Sequence, residues 1–142
     1  MFKKILIILT FTFLIGTSSN IFAYWIIANK EVNKEEILSK KNIFLIFSLK
    51  KNFWNNGTPI TVITLNTDNR IHQLFVDNVL GLNYVTLQNI WDLKIYSGTV
   101  VPPITVRTKE ELIEMIKLHE GSIGYIYSNH IPNVITFEIE SE

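Results

Sequence analysis

Apolar positions recur along the chain at two spacings, and the spacing decides which element each stretch forms. Tyr24-Trp25-Ile26-Ile27-Ala28 is a short apolar run, β-branched and aromatic in character, and it predicts a buried strand. Asn33-Lys34-Glu35-Glu36 places a carboxylate three residues after an asparagine, the capping-box pattern of a helix start. Ile37, Leu38, Ile43, Phe44 and Phe47 then fall on the buried side of one or two helical turns. Trp54-Asn55-Asn56-Gly57-Thr58-Pro59 is turn chemistry, because Asn-Gly tolerates positive φ and proline cannot donate to a ladder. Ile60 to Leu65 is apolar on both faces and predicts an interior strand. Asp68 or Asn69 caps a helix with an inward stripe of Ile71, Leu74, Phe75 and Val79, ended by Gly81. Val85 to Tyr96 forms another, with Val85, Leu87, Ile90, Trp91 and Ile95 inward and Gly98 after it. Ile104-Thr105-Val106 is extended after Pro102-Pro103. Thr108-Lys109-Glu110-Glu111 opens a helix with Leu112, Ile113 and Ile116 inward and Gly121 at its end. Ile123–Tyr127 and Val134–Ile139 are the remaining strands. Strands alternate with helices, so the expected fold class is α/β, a single compact domain with a mixed sheet flanked by helices.

The first 23 residues read differently. Met1-Phe2-Lys3-Lys4 is a positive start, Ile5 to Gly16 an apolar core, and Thr17 to Asn20 a polar stretch leading to Ile21-Phe22-Ala23. Charge, a short apolar core and a small residue at the cut site predict a secretory signal peptide over residues 1–23 and a domain over 24–142. The core is shorter than the ~20 residues that span a bilayer as a helix. The expected location is the periplasm, membrane-anchored if the leader stays uncut.

Composition narrows the class. Of 142 residues, 47 % are hydrophobic and 18 % charged, which supplies enough apolar surface for a packed core and argues against disorder. Thirteen basic residues balance thirteen acidic ones. The leader takes Lys3 and Lys4 and no acid, leaving the domain at −2. No basic stripe exists for nucleic acid. With no cysteine, disulfides, thiolate catalysis and Cys-ligated zinc are excluded.

Several segments, in order, carry a resemblance. They are the strand after the leader, Ile43-Phe44, Trp54-x-x-Gly57-x-x-Ile60, the Phe75 to Leu80-Gly81 helix end, Trp91, Ser97-Gly98, Pro102-Pro103 and Gly121-Ser122-Ile123-Gly124-Tyr125. Together they resemble the small, single-lobe members of the periplasmic phosphate-binding-protein-like family, relatives of the substrate-binding proteins of phosphate ABC transporters. The resemblance implies one lobe of a type II periplasmic binding fold, with no catalytic role and no cofactor. It also implies a small oxyanion such as phosphate as ligand. In that family a Pro-Ile-Thr-Val-type strand leads to an arginine and a Ser-Gly-Thr turn. Here Pro59-Ile60-Thr61-Val62 matches the strand, but Thr64 and Leu65 stand in place of the arginine and Asn69-Arg70-Ile71 in place of the turn. The family's phosphate residues therefore do not carry over, and the chain is too short for two lobes.

Thr67, Asp68, Asn69 and Arg70 remain the candidate ligand-binding residues. A helix start leaves N–H groups without intrahelical partners and adds a positive dipole end. Arg70 brings a full charge and Thr67 a hydroxyl, while Asp68 repels an anion. The histidines share no metal-ligand spacing: His72 is expected on a helix surface, His119 at a helix C-terminus and His130 in a loop. Glu110, Glu111 and Glu114 are explained by the helix dipole. Ser122, His119 and Asp92 have no triad-like spacing. Trp25 and Trp91 are core candidates, and Trp54, beside its turn, is expected to be partly exposed. Lys40-Lys41 and Lys50-Lys51 read as a solvated face, and Asn56-Gly57-Thr58 as an incidental glycosylation sequon.

The sequence thus predicts an exported binding module without catalysis. Its expected partners are a small oxyanion, an ABC transporter permease or another envelope protein, and a second copy of itself across the face left bare by the absent lobe. The alternative is an envelope interaction module that kept the fold and lost the ligand.

Overall fold

The computed structural model describes residues 23–128 and, as backbone, 135–139. Residues 1–22 of the expected signal peptide, His130 and Val134 lie outside the described residues. Strands are β1 (Ala23–Ala28), β2 (Thr61–Leu65), β3 (Ile104–Val106), β4 (Ser122–Ser128) and β5 (Ile135–Ile139). Helices are α1 (Lys40–Phe47), α2 (Arg70–Asn78), α3 (Tyr84–Tyr96) and α4 (Lys109–Leu118). The sheet order is β3-β2-β4-β1-β5. β2 runs parallel to β3 and β4, whereas β1 is antiparallel to β4 and β5, so the sheet is mixed. Both β1 and β2 are interior strands, which explains why each is apolar on both faces.

Helices cover both sides of this sheet. On one side Phe75 of α2 stacks on Tyr125 of β4 with ring centroids 3.8 Å apart, and Phe47 of α1 meets Phe75 edge-on at 5.1 Å. Trp91 of α3 packs behind them and donates its indole N–H to the Phe47 carbonyl at 2.7 Å. On the opposite side Leu112 and Ile116 of α4, both fully buried, lie against Gly124. A Cβ at Gly124 would stand 2.8 Å from the Ile63 carbonyl oxygen and 3.0 Å from Leu112 Cδ2. The missing side chain is what lets α4 sit close to the sheet.

Caps follow local chemistry. Asn69, Asn83 and Thr108 each accept a backbone N–H of the first turn of α2, α3 and α4. The Glu111 carboxylate reaches back to the Arg107 N–H at 2.9 Å. Gly121, two residues beyond the His119 cap of α4, sits at φ +73°, and a Cβ there would collide with the Pro59 carbonyl.

Several expectations need correction. The helical turns of residues 33–47 are a 3-10 turn over Lys34–Ile37 followed by α1, newly capped by Ser39. The 3-10 geometry turns Leu38 outward, 62 % exposed, while Ile37 is buried. Glu36 closes no capping box. Its carboxylate is buried, satisfied by Lys51 Nζ at 3.0 Å and the Asn55 N–H at 2.9 Å. Trp54 is buried, not partly exposed, because its indole N–H donates to the Gly121 carbonyl at 2.9 Å and fastens the Asn55-Asn56-Gly57 turn to β4. On α3 only Leu87 and Trp91 are buried, and Val85, Leu93 and Tyr96 face solvent.

Candidate functional site

Two loops leave adjacent parallel strands for opposite faces of the sheet. After β2 the chain turns through Asn66–Asn69 into α2, on the side of Phe47 and Tyr125. After β3 it turns through Arg107 and Thr108 into α4, on the other side. Such a divergence opens a crevice at the carboxyl ends of the strands, where α/β sheets bind ligands. The two loops are stitched together by the Asn66 N–H bonding to the Val106 carbonyl at 3.1 Å.

The crevice therefore receives two helix starts. At α2, the Asn69 N–H donates to the Asn66 carbonyl at 2.9 Å, forming a tight turn, and the Asn69 side chain accepts from the Ile71 N–H at 2.8 Å. Gln73 Nε2 donates to the Thr67 carbonyl at 3.1 Å and fixes that loop residue. Thr67 and Asn69 are half-buried, and Asp68 and Arg70 exposed. The four candidate residues are thus consecutive around one turn, with Asn69, not Asp68, as the cap. Arg107, absent from the sequence-based set, stands at the second helix start and is exposed. Its position directly after Ile104-Thr105-Val106 and before the Thr108 cap was the available signal.

Behind α2 lies a second polar cluster, also unforeseen. His72 is 1 % exposed, not on the helix surface. Its Nδ1 lies 2.6 Å from the Tyr125 hydroxyl and 2.9 Å from Thr64 Oγ1, and those two hydroxyls are 2.8 Å apart. The Leu65 N–H donates to the Tyr125 oxygen at 3.3 Å. One consistent arrangement has Tyr125 accepting from Leu65 and Thr64 and donating to His72 Nδ1, which puts the imidazole proton on Nε2. Burial lowers the His72 pKa from 6.5 to about 4, and burial also raises the Tyr125 phenol above its ordinary value. Every member is closed off from solvent, so the cluster holds a neutral imidazole as a pin between helix and sheet.

Other candidate chemistry separates. His119 Nδ1 lies 3.0 Å from the Met115 carbonyl, and Ser122 Oγ donates to the Ile116 and His119 carbonyls, so no Ser-His pair forms. Glu114 pairs with Lys117 at 3.1 Å. Among the described residues no three His, Asp or Glu side chains gather as metal ligands, and no helix is long and apolar enough to cross a membrane.

The architecture is a mixed sheet with helices on both faces and a strand-order switch at β2 and β3. No family model and no curated protein matches the chain. Solved structures do, among them two phosphate-transport proteins. PstS from Borrelia burgdorferi superposes with a TM-score of 0.54 at 22 % identity, over 75 % of this chain and 42 % of that one. An ABC-type phosphate transport receptor from Vibrio cholerae gives 0.58 at 10 % identity, over 85 % and 47 %. The chain spans less than half the length of either. The likeness is one of fold: the domain has a phosphate-binding-protein-like fold.

Proposed function

We propose that this chain is an exported, non-catalytic substrate-binding-protein-like module that takes a small oxyanion, phosphate or sulfate, in the crevice between Thr67–Arg70 and Arg107–Thr108. Residues 1–23 act as its export signal, and an ABC-type permease is its downstream partner. The observation that carries the reading is a pair of helix starts, each with an exposed arginine beside it, at the carboxyl ends of the adjacent parallel strands β2 and β3. Each helix start offers N–H groups and a positive dipole end. Arg70 and Arg107 add full charges and fork-shaped donors. Asp68 works against an anion and keeps the affinity modest.

Calorimetric titration with inorganic phosphate tests the reading. Binding that Arg70→Gln and Arg107→Gln each weaken supports it, and silence at millimolar phosphate overturns it. The interaction-module alternative has its own support in the exposed Leu93 and Tyr96 of α3, 74 % and 94 % accessible. A phosphate-silent chain that is dimeric in sedimentation, and monomeric after Leu93→Ser with Tyr96→Ser, would favour it.

A further inference from the structure

The outer side of α2 carries a groove with opposite charges at its ends. Arg70, Gln73, Leu74 and Asp77 recur at helical spacing and share one face, turned away from the buried Phe75 and Val76. Asn83 and Tyr84, at the start of α3, form the facing wall of a groove of about 210 Å³. Arg70 and Asp77 are two turns apart, about 10 Å along the axis. Neither Arg70 nor Asp77 forms an ion pair with another described residue. Leu74 and the part-exposed Tyr84 ring supply apolar wall between the charges.

Inorganic phosphate would satisfy Arg70 and be repelled by Asp77. An amine alone would do the reverse. We infer that the groove takes a free, soluble zwitterion, its oxyanion on Arg70 and its primary ammonium on Asp77, with the short chain between them lying along Leu74 and Tyr84. This rests on the oxyanion reading of Arg70 and adds a substrate class to it.

The test titrates the protein with O-phosphoethanolamine, ethyl phosphate and ethanolamine, for wild type and Asp77→Asn. An exposed ammonium–carboxylate contact is worth up to about fivefold in affinity, so O-phosphoethanolamine should bind about three- to fivefold tighter than ethyl phosphate. Asp77→Asn should erase that preference without weakening ethyl phosphate. Equal affinities in wild type overturn the zwitterion while leaving the oxyanion site standing, and no binding of either phosphate removes both. Ethanolamine binding as tightly as O-phosphoethanolamine overturns the inference, since the anion would then contribute nothing. Cosedimentation with phosphatidylethanolamine vesicles overturns it as well, by making the lipid headgroup the occupant.

Discussion

The two sides of α2 hold polar groups of opposite fate. Inward, His72 joins Thr64 and Tyr125 in a hydrogen-bonded set sealed beneath Phe75 and Trp91. Outward and at the helix start, Arg70, Asp77 and the Thr67–Asn69 turn stay open. The inner set has the residue types of an active site and none of the access. Its groups satisfy one another, so its contribution is to stability and register. The outer set holds charges that form no ion pair with another described residue, and that is the condition a ligand exploits.

Four changes sharpen or break this contrast. The largest effect is expected for Phe75→Ala, which removes the ring stacked on Tyr125 and should cost about 3–5 kcal/mol in urea denaturation. Next is acid. From about pH 6.5 down to about pH 4 the unfolded chain protonates His72 and the folded chain does not. Stability should fall through that window by on the order of 3 kcal/mol and level off below it. Comparing urea midpoints of wild type and His72→Asn at both ends isolates the share due to this residue, and parallel slopes would show that His72 is not the neutral pin. Tyr125→Phe strands the Leu65 N–H and leaves His72 Nδ1 only Thr64 Oγ1, and should cost about 1–3 kcal/mol while leaving anion affinity unchanged. A loss of phosphate binding in that variant would merge the two clusters into one site. The smallest effect on stability, within about 0.5 kcal/mol, is expected for Arg70→Gln, whose consequence should appear in binding alone.

The α/β alternation, the Asn69 and Thr108 helix starts and the glycine stops were legible because each depends on residues a few positions apart. Where long-range packing decides, the reading slipped. The α2 stripe was read as Ile71, Leu74, Phe75 and Val79, but the buried set is His72, Phe75 and Val76, rotated by about one residue. Hydrophobicity alone hides this, because a polar imidazole is admitted only by partners on β2 and β4, sixty residues of chain apart at their extremes. Trp54 was misplaced for the same reason, since its acceptor is the Gly121 carbonyl. For α3 the apolar count exceeded what one buried face can hold, leaving Leu93 and Tyr96 outside. The Thr67–Arg70 turn was legible as a helix start. Its partner at Arg107 was not, because only the pairing of β2 with β3 brings the two loops together.

Backbone amide shifts followed during titration with inorganic phosphate address the crevice most directly. The account predicts saturable changes at Thr67–Ile71 and Arg107–Glu110, with the Leu65 amide beneath Tyr125 unmoved. Shifts confined to other surfaces, or none at millimolar phosphate, would contradict it.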